Sequence, residues 1–299
     1  MNIIVANHWL KKLGGSECYT YALALELRRQ GHHVRFFTFE NGKVSKKLLE
    51  TGITPYRFGF LPDLILANHH TTVSYFRSRY PHTKIIQTIH GTTPKLEQPS
   101  ADANFYVAIS LEIEGYLRKK YGLESKVIYN GIDCMRFARK NPTNRILKSV
   151  LSLSHSYELN DKLSKLFNRN NIDFISLNKY KNPVWNIEDY INKADMVISI
   201  GRGVYESMAC GRAVLVLDKR PYQGLMGDGF LTPELVRDSL ADNCSGRWLK
   251  RTDVERMIDE AISHYSLHNP TYNRIFALKN LNIEEQAAKY LEIKLGINL

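Results

Sequence analysis

Residues 194–218, ADMVISIGRGVYESMACGRAVLVLD, read as strand, glycine turn, short helix and strand in immediate succession. Two apolar, β-branched runs joined through a helix are a parallel pair with a crossover, because antiparallel neighbours need only a tight turn. A chain holding such a unit is committed to a parallel sheet with helices on its faces. Gly201 and Gly203 let the backbone turn tightly and come close to a ligand. The helix start behind them offers unpaired N–H groups and the positive end of a dipole. A phosphate-bearing ligand is expected there, with Val204 in the same turn and a single acid, Glu206, expected in the first turn of the helix.

The same alternation runs along the whole chain. NIIVA is followed by a loop with Gly14 and Gly15, then by SECYTYALALELRRQG, an amphipathic helix with Ser16 as cap and Gly31 as stop. HVRFFTF, DLILA, KIIQTI, NFYVAI and KVIY each precede a loop or helix. These assign a Rossmann-like domain to residues 1–142. Asn141, Pro142, Thr143 and Asn144 form an expected hinge. A second cycle follows, from RILKSVLSLS through ELNDKLSKLFNRN, DFISL and NIEDYINK to AVLVLD, so that residues 143–280 form a second Rossmann-like domain. The tail has helical periodicity, and residues 281–299 are read as a C-terminal helix that packs back on the first domain.

With 299 residues, 43% of them hydrophobic, the chain has enough apolar surface for two cores. No apolar stretch approaches the roughly 20 residues that span a bilayer, and NIIVA starts at residue 2 with no room for a signal peptide. The expectation is a soluble, cytoplasmic protein. Cys18, Cys134, Cys210 and Cys244 are far apart with no CxxC pairing, as reduced structural thiols would be. The net charge of +11 is concentrated early: residues 1–140 hold 20 Lys and Arg against 11 Asp and Glu, leaving 21 against 19 for the rest. A basic half suits an anionic acceptor or a peripheral contact with the inner membrane face, and equally a merely solvated surface. No aromatic RNA-binding box, helix-turn-helix or paired metal motif is present, so nucleic acid is not an expected partner.

Several stretches, in order, resemble the GT-B glycosyltransferases, and most closely the large family 4 of retaining, nucleotide-sugar-dependent enzymes. They are GGSE with ALALELRRQGHHV, TIHG at 88–91, VAIS with YLRKKYGL, VIYNGID with Arg136 and Phe137, and ADMVISIGRGVYESMACGRAV. The likeness is weakest between Lys140 and Asn186. It implies an α/β fold of two Rossmann-like domains facing across a cleft, with the acceptor on the N-terminal side and a UDP- or GDP-linked sugar on the C-terminal side. It also implies retention of configuration, and no cofactor or metal beyond the donor itself.

Residue by residue, Glu206 matches the second of two family glutamates separated by seven residues, which hydrogen-bonds the nucleotide ribose; a carboxylate accepts from two vicinal hydroxyls at once. The alternative for Glu206 is an acid that complements the helix dipole. The first glutamate is missing: counting back eight positions gives Ile198, and aligning Gly201-Arg202-Gly203 with the family's G-x-G gives Ile200. Arg202 occupies the turn, either forked onto a phosphate or paired with Asp195 or Glu206. The family's basic pair after the first strand of the second domain is also altered, since Ser154, His155 and Ser156 stand where an arginine is expected. Lys162 is the candidate for its lysine, with an exposed helix lysine as the alternative. Gly14 and Gly15 resemble the loop that approaches the donor phosphates or the acceptor, and His90 matches a histidine near the reacting sugar. Asp218, expected to end its strand, is a further candidate on the nucleotide side. His69 and His70 are weaker acceptor-side candidates, and Asn130 with Gly131 makes a turn.

The function implied is transfer of a hexose-like sugar to a glycan, lipid-linked or other anionic acceptor. Two alternatives stand beside it: a non-catalytic nucleotide-sugar-binding partner of another glycosyltransferase, and a nucleotide-sugar 2-epimerase. A dinucleotide oxidoreductase is disfavoured because no GxGxxG follows the first strand.

Overall fold

The computed structural model describes residues 1–181 and 183–296, so the last three residues of the C-terminal segment lie outside it. The chain forms two compact units, Met1–Asp133 together with Ile283–Leu299, and Cys134–Asn282. Residues 141–144, read from the sequence as the connection between domains, lie inside the second unit. There the Asn144 N–H and side-chain amide donate to Asp195 at 2.8 and 3.1 Å, and the Asn141 amide donates to the Asn192 carbonyl at 3.1 Å.

The first unit is built from β1 (Asn2–Ala6), α1 (Gly15–Arg29), β2 (His33–Phe37), α2 (Lys43–Glu50), β3 (Thr54–Pro55), β4 (Leu64–Ala67), α3 (His70–Arg77), β5 (Lys84–Ile89), β6 (Phe105–Ala108), α4 (Leu111–Tyr121) and β7 (Lys126–Val127). The strands lie in the order β3-β2-β1-β4-β5-β6-β7 and pair in parallel throughout. β1, β4 and β5 are buried along nearly their whole length, as strands covered by helices on both faces are, and Ile4, Ile65, Val73, Phe76 and Ile85 form one of the resulting cores. Strand order reverses between β1 and β4, the place where open α/β sheets leave a crevice beyond their carboxyl ends.

The second unit contains β8 (Ser149–Ser152), α5 (Tyr157–Arg169), β9 (Asp173–Ser176), α6 (Ile187–Ile191), β10 (Met196–Ser199), α7 (Arg202–Ala209), β11 (Ala213–Arg220), β12 (Gly224–Phe230), α8 (Leu235–Ala241), α9 (Val254–His264) and α10 (His268–Asn280). Its sheet order is β12-β11-β10-β8-β9, with only β12 antiparallel, and the order reverses between β8 and β10. Leu163, Phe167, Met196, Ile198, Leu215 and Ile258 fill its core. The last helix, α11 (Ile283–Leu295), belongs to the first unit, where the Tyr290 hydroxyl bonds the hydroxyls of Tyr19 at 3.0 Å and Thr88 at 2.8 Å.

Three local expectations are corrected. α1 is not capped by Ser16. It begins at Gly15 behind an extended Gly14, and the Ser16 hydroxyl donates to Glu17 instead. Asp218 does not end its strand, because pairing with β12 carries β11 on to Arg220. Glu206 sits in the second turn of α7, since that helix already begins at Arg202.

Candidate functional site

In the second unit the carboxyl ends of β8 and β10 meet the start of α7. Gly201 caps the helix at φ 57°, a left-handed conformation that disfavours any side chain. Its amide is already taken by the Cys244 carbonyl at 2.9 Å. The loop behind it is itself unusual, with Asn243 and Cys244 both left-handed at φ 65° and 48°. Gly203 is required for a different reason. A Cβ there would lie 2.2 Å from the Ser199 hydroxyl and 3.2 Å from Leu153, so the glycine lets α7 lie directly on the ends of β10 and β8. Val204 is fully buried.

Arg202 and Glu206, one helical turn apart, form an ion pair of 2.8 Å in which each side chain keeps 11% of its exposure. Burial pushes the Glu206 carboxyl up, and the charges of Arg202 and Arg136 oppose that shift. Arg136 is in turn forked onto Glu188, through Nε at 3.1 Å and Nη2 at 3.0 Å, with its guanidinium over the rings of Trp185 and Phe137. A desolvated carboxylate flanked by two arginines is held in one place and one orientation.

Ser154 and Asp218, separate candidates in sequence, are brought together. The Ser154 hydroxyl donates to Asp218 Oδ1 at 2.6 Å, and the Lys219 N–H donates to the same oxygen at 2.8 Å. Arg220 Nε donates to Oδ2 at 3.1 Å. Next to Ser154, His155 packs edge-on against Tyr180; burial first, then Lys179, lowers its pKa to about 4 and keeps the ring neutral. Arg220 is the residue of this cluster that sequence reasoning missed. Its only signal was position, two residues beyond a strand-end candidate. Lys162, by contrast, lies on α5 and pairs with Glu255 at 3.3 Å, both side chains largely exposed.

The first unit gathers a polar cluster at its own strand-order reversal. Thr20 accepts from the side-chain amides of Asn7 and Asn68, both at 3.0 Å, and Asn68 also donates to the Ala6 carbonyl. With its amide nitrogen so committed, Asn68 turns Oδ1 toward His90 Nε2 at 2.8 Å, and since an amide oxygen can only accept, Nε2–H is the donor. His69 is buried, its Nδ1 accepting from the His8 N–H at 3.1 Å, and burial together with His8 lowers its pKa to about 4. His70 begins α3. Around the glycine pair the structure adds two acids that the sequence did not single out. The Glu17 carboxylate occupies the space a Gly14 side chain would need, 2.1 Å from its Cβ position, while the space beside Gly15 is open. Glu97 lies likewise against Gly91, and burial, reinforced by Glu17, raises its pKa to about 7. Among the described residues no group of three His, Cys, Asp or Glu is arranged to hold a metal ion, and no helix is long and apolar enough to cross a membrane. None of Cys18, Cys134, Cys210 and Cys244 is in a disulfide.

No protein-family model matches the chain, and no curated protein matches it in sequence. Solved structures do. MurG of Acinetobacter baumannii aligns over 99% of both chains with a TM-score of 0.55 at 11% identity. An alpha-glucosyltransferase in complex with UDP and a 13-mer DNA containing a HMU base aligns over 99% of both chains with a TM-score of 0.59 at 10% identity. The chain has the GT-B fold. A putative UDP-N-acetylglucosamine 2-epimerase from Listeria monocytogenes is similar too, with a TM-score of 0.56 at 13% identity over 99% of this chain and 96% of that one. In GT-B terms the two polar clusters sit at the carboxyl edges of the two Rossmann-like sheets, and the likeness at these identities concerns the fold alone.

Proposed function

We propose that the protein is a glycosyltransferase that moves a sugar from a UDP- or GDP-linked donor to an acceptor, with retention of configuration and without a metal, in the manner of family 4. The observation that carries the reading is the start of α7, where Gly201, the closely packed Gly203 and the oriented Glu206 stand together at the strand-order reversal of the second sheet. Glu206 receives the ribose hydroxyls, and Arg202 keeps the carboxylate charged and aimed. The first turn of α7 faces the diphosphate. UDP in one of the structural neighbours agrees with such a donor. In the first unit, His90 and the Glu17–Glu97 pair suit hydroxyl-rich ligands better than phosphate, since carboxylates accept from hydroxyls and repel anions. The basic N-terminal half then serves a glycan, lipid-linked or other anionic acceptor, and a peripheral membrane contact follows from the same charge.

In the transfer step the bond between the anomeric carbon and the diphosphate oxygen breaks with its electrons going to that oxygen. The acceptor oxygen bonds the carbon from the same face, and its proton passes to the departing phosphate. The test is a panel of UDP- and GDP-sugars scored for binding and hydrolysis with the wild-type chain and with Glu206→Gln, adding a chelator to one arm. Nucleotide affinity lost in the variant supports the site. Unchanged affinity, turnover that needs an added divalent ion, or a product of inverted anomeric configuration by NMR refutes the corresponding part of the reading. A second reading, nucleotide-sugar binding without turnover, is favoured by the closed Arg202–Glu206 pair. Thermal stabilisation by UDP or GDP with no reaction on any acceptor would select it, and a free 2-epimerised sugar made without acceptor would select the epimerase.

A further inference from the structure

The donor site as read from sequence lacks cations. The loop after β8 carries Ser154, His155 and Ser156 where a basic group would hold the diphosphate, Arg202 is committed to Glu206, and Lys162 is paired with Glu255. A diphosphate leaving group needs a positive partner as its charge develops. The structure brings one in from another strand. β8 and β11 flank β10, and the Ser154–Asp218 hydrogen bond joins the loop after β8 to β11 just beyond Ser199, the last residue of β10, which lies opposite Val216 and from which the chain passes on to α7. Leu153, the neighbour of Ser154, packs against the Gly203 backbone in the first turn of α7. Arg220 therefore enters the cluster that adjoins that turn.

Its guanidinium is fixed from two sides. Nε donates to Asp218 Oδ2 at 3.1 Å and Nη1 to the Tyr222 hydroxyl at 2.6 Å, while Nη2 has no hydrogen-bond partner among the described residues. The side chain as a whole retains 37% of its exposure. Asp218 does not cancel the attraction for an anion, because its two oxygens are 7% exposed as a side chain and already accept from Ser154, the Lys219 N–H and Arg220. Lys179 and Arg220 both act electrostatically on His155, which stays neutral between them, and the Lys219 ammonium pairs with Glu158 nearby.

We propose that Arg220, oriented by Asp218 and Tyr222 at the carboxyl edge of the second sheet, is the residue that grips the diphosphate of the nucleotide donor in place of the missing basic pair. This rests on the donor-site reading above and adds to it the group that binds the phosphates. A planar fork with one side held and the other open matches two phosphate oxygens in a way a mobile lysine does not.

The experiment measures binding of UDP and GDP by calorimetry, and of uridine and guanosine by ligand-observed NMR, to the wild-type chain, Arg220→Ala, Arg220→Lys and Tyr222→Phe. Arg220→Ala should weaken the preferred diphosphate about ten- to a hundred-fold and leave the matching nucleoside unchanged. Arg220→Lys should recover part of that loss, and Tyr222→Phe should show a smaller loss with the same pattern. Diphosphate affinity unchanged in Arg220→Ala, or nucleoside affinity falling in step with it, would overturn the assignment while leaving the donor site standing. A wild-type chain that binds neither diphosphate would remove the donor site and this assignment together.

Discussion

Arg202 and Glu206 differ in what each leaves behind when the other is removed, and that asymmetry can be measured. Both side chains are 11% exposed and 2.8 Å apart. Removing one member of a buried pair costs about 3–5 kcal/mol because the survivor keeps its desolvation without its partner. The residual exposure and the nearby Arg136 place the cost at the lower end, about 3 kcal/mol, or roughly 6–12 °C in Tm for a unit of this size. Glu206→Ala strands a guanidinium that cannot lose its proton, so that variant's own stability carries no pH dependence from this site, whereas the wild type keeps that of its raised Glu206 carboxyl. Arg202→Ala strands a carboxyl already pushed up by burial, and losing the arginine pushes it further. The folded state then holds a proton that the unfolded state releases, so stability is highest below the ordinary carboxylate range and falls as pH rises through it toward the folded value. Scanning calorimetry of both variants near about pH 5 and about pH 8 decides the matter. Between the two pH values Arg202→Ala should lose more stability than the wild type does, and Glu206→Ala less; an equal cost for Arg202→Ala at the two pH values would refute the buried pair.

The close approach of α7 to its sheet predicts that Gly203→Ala destabilises the second unit by about 1–2 kcal/mol, the overpacking cost less the helix-propensity gain, with Ser199→Gly restoring most of it in the double variant. Thermal melts of the four-member cycle check this, and additive effects would contradict the contact. The Glu97 carboxyl, raised to about 7, binds a proton in the folded state that it loses on unfolding. The stability of the first unit should therefore fall by about 2 kcal/mol as pH rises from the ordinary carboxylate range to about 7, and Glu97→Gln should flatten that fall in urea titrations at a series of pH values.

The strands that carry the fold were legible because parallel strands covered on both faces are rich in apolar, β-branched residues: KIIQTI is β5 residue for residue, and ADMVISI holds β10. α11 was equally plain from its periodicity. By contrast β12, GLMGDGF, has the composition of a loop and is a strand only because it pairs with β11, where a Cβ at Gly227 would lie 2.3 Å from the Val216 carbonyl. α10 was not recognised either. It packs on α7, and its Asn273 and Arg274 serve distant carbonyls at Arg212, Cys134 and Phe137, contacts that leave no periodic trace.

What the sequence determined by itself was the parallel architecture and the glycine-opened helix start, since hydrophobic periodicity and backbone permissiveness act over neighbouring residues. Only tertiary structure decided which charges meet: that Arg202 turns onto Glu206, that Ser154 and Asp218 join across β10, that Arg220 turns onto Asp218, and that Glu17 and Glu97 close over Gly14 and Gly91. Those pairings depend on strand order and on burial, which set distance and desolvation between residues far apart in the chain, and neither quantity is written in local sequence.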